Sequence, residues 1–411
     1  MTKDLFDADS FSRSLRPEAL AAPSSGIAEV FKLGRTRPGI IPLYVGEGDV
    51  PASSAITEAV ARSLGAGETF HTPQAGLPEL RAAIATYMSR HYGEAYEARV
   101  GAFAPQRFFV TSGGMHALQL AVRLVAGPGA EVIVPTPAWP NFRGVLSAAG
   151  AQISGVPLDF AAAPDGSFRW SLDLDRLRAT ISPATRAIVI NSPANPTGWT
   201  ASADDLAAIL RLAREFGLWI IADEIYGRLS FAKTRAASFH DLMEAGDRVL
   251  FVQTFSKNWA MTGLRLGWIE VPPEIGQTVE NLIQYSTSCV AAPLQRAGLA
   301  ALEAGDEFFA GQLARMRQSR DALCAGLAAA GRVNFAVPEG TFYLFAMIEG
   351  ISDTRRLALR LIEEADVGVA PGTAFGPGGE RFVRISFARS PDDIAEAARR
   401  LARWLAAEPR G

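Results

Sequence analysis

Lys257 is the residue of this sequence whose surroundings best suit covalent chemistry. It follows a strand-like run over residues 248–253, with hydroxyl groups on Thr254 and Ser256 and a guanidinium group downstream on Arg265. An amine can form a Schiff base with an aldehyde, and an arginine can bind a phosphate group through paired hydrogen bonds. Most lysines lie exposed on protein surfaces, so this interpretation depends on what the rest of the chain places beside Lys257.

Four other strand-like runs also end in residues that could contact a ligand. In order along the chain, these ends supply a glycine pair before a helix, a tryptophan, an asparagine in a proline-rich loop, and an aspartate followed by a tyrosine. Taken singly, each is typical of ordinary structure such as a tight turn, core packing or a helix cap. The residues are Gly113 and Gly114, Trp139, Asn195, and Asp223 with Tyr226.

The common position of these residues at strand ends indicates one site. In open α/β sheets, ligands bind outside the carboxyl ends of the strands. Backbone N–H groups at Gly113 and Gly114 could face an anion, and Trp139 could stack on a flat ring. Asp223 could keep a pyridine nitrogen protonated while Tyr226 bonds a ring oxygen. Together with Lys257, these groups would hold a phosphorylated aromatic aldehyde.

The order of elements predicts an α/β fold. Short apolar strands alternate with amphipathic helices through the middle of the chain, which favours a mostly parallel sheet flanked by helices. From about residue 290 a long helical pattern and two further strand-like runs indicate a smaller α+β domain. We expect a large domain over residues 45–290, and a small domain formed by residues 1–44 and 291–411.

Composition excludes several classes of protein. The chain has 411 residues, a formal net charge of -3 and no basic block, so neither nucleic acid nor an anionic membrane surface is an expected partner. No apolar run reaches the roughly 18 residues of a membrane span, and the N-terminus lacks a secretory pattern. The two cysteines and four histidines show no disulfide or metal spacing. We expect a cytoplasmic protein without a metal ion.

The chain resembles the class I/II aminotransferases, which are fold type I pyridoxal-phosphate enzymes. The matching runs follow the family's order from about Leu43 to Ala388, so the resemblance covers most of the sequence. NPTG, DEIY and the lysine–arginine run are specific in combination. The matching runs are VGEGD, TPQAGLPELR, VTSGGMHALQL, PTPAWPN, NSPANPTG, ADEIY, TFSKNWAMTGLRLGW, EGTFYLF, VAPGTAFGPGG and FVRISFA.

The resemblance implies pyridoxal 5'-phosphate as the cofactor and gives each residue a role. Lys257 would form the Schiff base and then move a proton, and Asp223 would pair with the ring nitrogen. Arg384 would bind the substrate α-carboxylate, although a surface position on its strand is equally compatible with its apolar neighbours. Further cofactor contacts are expected from Gly113, Gly114, Met115, Trp139, Asn195, Tyr226, Thr254, Ser256 and Arg265, and further substrate contacts from Gly46, Trp139 and Asn195.

Two positions depart from the family's usual pattern. His71 stands where a tyrosine usually reaches the phosphate of the neighbouring subunit, within a homodimer that shares its active sites. Met115 stands where the bacterial aspartate-specific branch often has a lysine. With Phe342 and Tyr343 in a run that often borders the site, Met115 favours neutral or aromatic amino donors, with 2-oxoglutarate or pyruvate as the acceptor.

Three functions compete on these residues. The first is an aminotransferase that moves an amino group between an L-amino acid and a 2-oxo acid by ping-pong kinetics. The second is a β-lyase of the same fold, which the motifs do not separate from the first because one lysine serves both reactions. The third is the effector-sensing domain of a transcription regulator, which is disfavoured because no basic DNA-reading helix precedes the matching region.

Overall fold

A computed structural model of the chain describes residues 14–407, so residues 1–13 and 408–411 of the predicted small domain lie outside the described part. The strands are β1 (Ile41–Pro42), β2 (Phe108–Thr111), β3 (Glu131–Thr136), β4 (Gln152–Ala162), β5 (Phe168–Leu172), β6 (Thr185–Asn191), β7 (Trp219–Asp223), β8 (Val249–Thr254), β9 (Gly267–Glu270), β10 (Val333–Phe335), β11 (Tyr343–Ile348), β12 (Val367–Gly368), β13 (Ala370–Pro371) and β14 (Phe382–Ser386).

Helices connect most of these strands. No helix within residues 14–407 is both long and apolar enough to cross a membrane. The α-helices are α1 (Pro17–Leu20), α2 (Ala28–Arg35), α3 (Ser54–Gly65), α4 (Pro78–Glu97), α5 (Gly114–Val125), α6 (Pro140–Ala148), α7 (Leu174–Thr180), α8 (Ala203–Phe216), α9 (Gly276–Gln284), α10 (Ala292–Ala304), α11 (Asp306–Ala329), α12 (Thr354–Ala365) and α13 (Pro391–Ala407). Short 3₁₀ turns cover Pro105–Arg107, Phe239–Asp241, Thr262–Leu264, Pro273–Ile275 and Gly372–Phe375.

An eight-stranded sheet forms the centre of the molecule, in the order β2-β9-β8-β7-β6-β3-β4-β5. The five strands from β8 to β4 in this order run parallel to one another. Strand β9 lies antiparallel between β8 and β2, so β2 points in the same direction as β8. The carboxyl ends of β2, β3, β6, β7 and β8 therefore meet at one edge of the sheet. The predicted α/β fold class with a mostly parallel sheet is confirmed.

The C-terminal third forms a second, antiparallel sheet in the order β10-β11-β14-β13. The N-terminal segment packs against this region, because β1 pairs with β12 and Arg37 donates to Asp366 at 2.7 Å. Strand β14 carries Arg384 opposite Phe345 of β11. The β1–β12 pairing and the Arg37–Asp366 bond both join residues that are far apart in the sequence. The domain limits at residues 44 and 290 stay a prediction.

Local sequence determines where the helices beside the site begin and end. Ser202 and Asp205 form a reciprocal capping box at the start of α8, which satisfies backbone N–H groups that have no partner within the helix. The same helix ends at Gly217, whose φ of 67° is a left-handed conformation favoured by glycine. The chain can then turn directly into β7. This short connection fixes the position of Asp223 at the far end of that strand.

A buried polar network supports the segment after β7. Glu270 accepts from Arg107 at 3.0 Å and bonds His240 at 2.9 Å. On the other side, Glu224 accepts from the Ser238 hydroxyl at 2.7 Å. Buried charges are stable only when they are paired and hydrogen-bonded. The network therefore holds Glu224, the immediate neighbour of Asp223, in a fixed position below the site.

Candidate active site

A cavity of about 500 Å³ opens at the edge where the parallel strands end. It brings together most of the residues that the sequence predicted, from eight separate segments of the chain. Two predicted residues do not line it, namely Gly113 and the exposed His71. The predicted residues that line it are Gly46, Gly114, Met115, Trp139, Asn195, Asp223, Tyr226, Thr254, Ser256, Lys257, Arg265 and Arg384.

Lys257 points its amine into this cavity. Its Nζ donates to the carbonyl oxygen of Gly46 at 2.7 Å, which fixes the direction of the side chain. Burial lowers the pKa of Lys257 to about 8, and the positive charges of Arg384 and Arg265 act in the same sense. A lysine with such a pKa is partly neutral near physiological pH, and only the neutral amine is a nucleophile.

Asp223 lies at the bottom of the same cavity, at the end of β7. The residue is 1% exposed, and burial raises the pKa of its carboxyl group to about 7. Its only side-chain hydrogen bond within the described chain is a long one, in which the Ile225 N–H donates at 3.4 Å. A cationic partner in the cavity would favour the ionised carboxylate. The site therefore suits a ligand that offers a protonated nitrogen to Asp223.

A cluster of donors at one end of the cavity suits a phosphate group. The Arg265 Nη1 donates to the Thr262 carbonyl at 2.8 Å, and Arg265 has no carboxylate partner within residues 14–407. Gly113 has a φ of 80°, and a Cβ atom there would lie 2.7 Å from Arg265 Nη2. Only glycine permits this approach, which aims the guanidinium at the start of α5, where backbone N–H groups are free for an anion.

Two hydroxyl groups complete this phosphate-binding end. The Thr254 hydroxyl donates to Ser256 Oγ at 3.0 Å and accepts from the Ser256 N–H at 3.1 Å. The Thr254 hydroxyl also lies 3.2 Å from the Leu266 carbonyl, so both hydroxyl groups are held in place at the end of β8. Thr254 is the last residue of β8 and Ser256 lies two residues further, so both lie three residues or fewer before Lys257. The amine and the phosphate donors are consequently held at a fixed separation by one short segment.

Arg384 lies inside the protein and not on its surface, which settles the two positions that the sequence left open. It is 3% exposed and donates to Asn195 Oδ1 at 3.0 Å and to the Tyr44 carbonyl at 2.7 Å. Its Nε has no hydrogen-bond partner, and no carboxylate of residues 14–407 pairs with it. Because arginine cannot lose its proton in a protein, the buried cation is suited to a ligand carboxylate.

Aromatic side chains form the walls between these polar groups. The Tyr226 hydroxyl lies 3.3 Å from the Tyr343 hydroxyl, and burial raises the pKa of Tyr226 well above its usual value. Tyr226 is therefore a neutral hydrogen-bond donor at physiological pH. Trp139 precedes α6 and packs edge-on against Phe142 at 5.6 Å between ring centroids, with its own ring on the cavity.

Several lining residues were absent from the predicted site. Asn191, the last residue of β6, donates to the Asp223 carbonyl at 3.1 Å and accepts from the Asn195 N–H at 2.8 Å. Asn191 could have been predicted, because it is a polar residue at the carboxyl end of a strand. The lining residues before Gly46 carry no pattern that indicates a site, because their side chains are mostly apolar. The remaining unpredicted lining residues are Ser25, Ile27, Ala28, Phe31, Tyr44, Ile225 and Val252, whereas Tyr343 lines the cavity as its run predicted.

Comparison with known proteins agrees with this arrangement. The sequence model of the family described as Aminotransferase class I and II matches residues 38–401. The chain belongs to that family. Within residues 14–407 no group of His, Cys, Asp and Glu side chains could hold a metal ion. The prediction of an aminotransferase, made from the strand ends and motifs, is confirmed.

Individual aminotransferases match the chain over nearly its whole length. The aspartate/prephenate aminotransferase of Thermus thermophilus is 34% identical over 397 residues, which cover 96% of this chain and 97% of that one. The crystal structure of the Thermotoga maritima aspartate aminotransferase matches with a TM-score of 0.85 at 30% identity, over 96% and 100% of the two chains. The N-succinyldiaminopimelate aminotransferase structure from Mycobacterium tuberculosis also gives 0.85, at 32% identity over 95% and 99%.

The shifted pKa of Lys257 predicts a pH-dependent stability difference in the cofactor-free aminotransferase. The folded pKa of about 8 lies below the usual 10.5, so burial of the charged amine destabilises the fold most below pH 8. That penalty disappears as pH rises from 8 towards 10.5, because the unfolded chain then binds the extra proton. Lys257→Met should therefore raise the thermal midpoint relative to wild type most below pH 8, with a shrinking difference above it.

Scanning calorimetry from pH 6 to 10 measures this difference. Loss of the bond to Gly46 adds a constant offset and does not change the trend. Exposed Lys233 provides the control, since Lys233→Met should give the same difference from wild type at every pH. A constant difference for Lys257→Met across the range would show that the amine is not destabilised by burial.

Proposed function

We propose that the chain is a pyridoxal-5'-phosphate-dependent aminotransferase that transfers an amino group between an L-amino acid and a 2-oxo acid. The observation that carries this proposal is the convergence of Lys257, Asp223 and Arg384 in one cavity. An amine with a lowered pKa, a buried carboxyl group and an arginine without an anion suit three different parts of a cofactor–substrate pair. We also propose a cytoplasmic location, on the sequence grounds given above.

The residues of the cavity fit this cofactor. Arg265, Ser256, Thr254 and the start of α5 would hold its phosphate, and Asp223 would pair with its ring nitrogen. Tyr226 and Asn195 would donate to its ring oxygen, and Trp139 would stack on the ring. When bound, pyridoxal phosphate supplies an electron-withdrawing ring that stabilises negative charge at the substrate Cα.

Lys257 would have two tasks in this reaction. Its amine would first bind the cofactor aldehyde covalently, which requires the neutral form favoured by its pKa of about 8. When it is not bonded to the cofactor, the Lys257 amine would be the base that accepts the proton from the substrate Cα. Arg384 would hold the α-carboxylate so that this proton points towards Lys257 Nζ.

A β-lyase that uses the same lysine remains the second candidate. Both reactions begin with removal of the Cα proton, so the cavity residues named here serve either. The aminotransferase is preferred because the relatives with matching length carry that activity in their names. Release of pyruvate and ammonia from a thioether amino acid without added 2-oxo acid would favour the β-lyase.

Covalent labelling tests the role of Lys257. The purified protein should be yellow, and borohydride reduction should fix the cofactor mass on Lys257 in a peptide map. Lys257→Ala should retain the fold by circular dichroism and lose transamination by several orders of magnitude, because no other lysine of residues 14–407 lines the cavity. Lys233→Ala serves as the control and should keep full activity. Cofactor mass on another lysine would contradict the proposal.

We also propose that the enzyme is a homodimer and that His71 completes the partner's site. His71 is exposed and lies outside the cavity of its own chain, with Cys289 Sγ at 3.6 Å from its Nδ1. Its neighbour Phe70 is 85% exposed, and aromatic side chains are enriched in protein–protein interfaces. An imidazole there could donate a hydrogen bond to phosphate.

Subunit mixing tests this arrangement. Under limiting cofactor, His71→Ala and Lys257→Ala proteins should each be nearly inactive, whereas verified hybrids should regain activity. A hybrid dimer contains one site with both residues intact, so recovery is expected to approach about a quarter of the wild-type rate for random mixing. No recovery in verified hybrids, or unchanged cofactor affinity in His71→Ala, would place His71 outside the partner's site.

A further inference from the structure

We propose that this site takes an amino donor with an apolar side chain in preference to aspartate, and that Ile27, Phe31 and Met115 form the wall that receives it. The inference rests on the proposed function and identifies the substrate class of the same site. It departs from the specificity named for several of the relatives, which are aspartate aminotransferases.

The charges of the cavity support this inference. Only four of its lining residues are charged, namely Asp223, Lys257, Arg265 and Arg384. Under the proposed function all four are already assigned, to the ring nitrogen, the aldehyde, the phosphate and the α-carboxylate. No lining cation of the described chain remains for a second carboxylate. A buried carboxylate without a partner is strongly disfavoured, and an acidic side chain would find no free cationic partner among the lining residues of the described chain.

The apolar wall stands next to the proposed carboxylate-binding group. Arg384 donates to the Tyr44 carbonyl at 2.7 Å, and the Tyr44 ring packs edge-on against Phe31 at 5.8 Å between centroids. Because Phe31 and Arg384 line the same cavity, we assign Phe31 to the surface that receives the side chain of a substrate bound to Arg384. Ile27 lies one turn before Phe31, at the start of α2, and lines the same cavity.

Met115, the third residue of the wall, lies where the cavity meets a neighbouring cavity. A neighbouring cavity of about 930 Å³ shares Ser25, Met115 and Trp139 with the first one. The Met115 side chain is held there by Asn141, whose Nδ2 donates to the sulfur at 3.1 Å. Because methionine is flexible and apolar, it can adapt to side chains of different shape. Leucine, methionine and phenylalanine are thus suitable donors.

Charged residues outside the wall do not replace the missing cation. Arg35 lies over the Phe31 ring at 5.7 Å and Arg143 borders the neighbouring cavity, and both are exposed to solvent. Neither lines the first cavity. Exposed Glu47 does not line the cavity either, but its negative charge raises the pKa of Lys257 against the effect of burial. This charge would repel an acidic side chain.

Leucine and aspartate are matched probes, because both branch at Cγ and differ mainly in charge. With the cofactor-loaded protein, single-turnover conversion followed by cofactor absorbance should give leucine a kcat/KM at least about tenfold above that of aspartate. Aspartate equal to or better than leucine, methionine and phenylalanine would overturn this inference alone. If no amino donor converts the cofactor, the proposed function is overturned, and this inference falls with it.

A charge introduced into the wall tests its location. Phe31→Arg should raise the ratio of aspartate to leucine kcat/KM by about tenfold, whereas Phe31→Leu should leave it within about threefold. Thermal midpoints and cofactor absorbance establish that both variants are folded and loaded. An unchanged ratio in Phe31→Arg would remove Phe31 from the wall. Selective loss of aspartate turnover in Arg35→Ala or Arg143→Ala would show that an outer cation reaches the side chain and would overturn the inference.

Discussion

Burial of three charged groups in one cavity is the constraint on which this active site depends. Lys257, Asp223 and Arg384 share the space, yet no two of them form an ion pair within residues 14–407. The amine and the carboxyl group respond by moving their pKa values towards neutrality, to about 8 and about 7. The guanidinium cannot respond in this way. Asp223 and Arg384 are therefore suited to ligand groups of opposite charge, and the partly neutral Lys257 amine is suited to act as a nucleophile.

The sheet makes this arrangement possible. Carboxyl ends of parallel strands meet at one edge, so residues separated by more than a hundred positions reach one cavity. The antiparallel sheet contributes Arg384 from the other side, and the N-terminal segment carries Tyr44 and Phe31 against it. The cavity thus lies between parts of the chain that fold from distant sequence. Its shape depends on their packing as much as on the strand ends.

Sequence reasoning succeeded where local pattern and chemistry coincide. Asp223 and Lys257 follow apolar runs directly, and their residue types are rare in such positions. The same reasoning missed β9, because a short strand that inserts antiparallel between β2 and β8 depends on pairing across the sheet. It also missed Phe31 and Ile27, since an apolar residue of an amphipathic helix looks the same whether it faces a core or a cavity.

The central claim is that Arg384 is a carboxylate-binding group held ready inside the protein. Its most direct test is calorimetric binding of 4-methylpentanoate, a leucine analogue without an amine, to the cofactor-loaded protein. We expect Arg384→Met to weaken this binding by at least about tenfold, whereas Arg35→Met should leave it unchanged. Equal affinity in wild type and folded Arg384→Met would contradict the account.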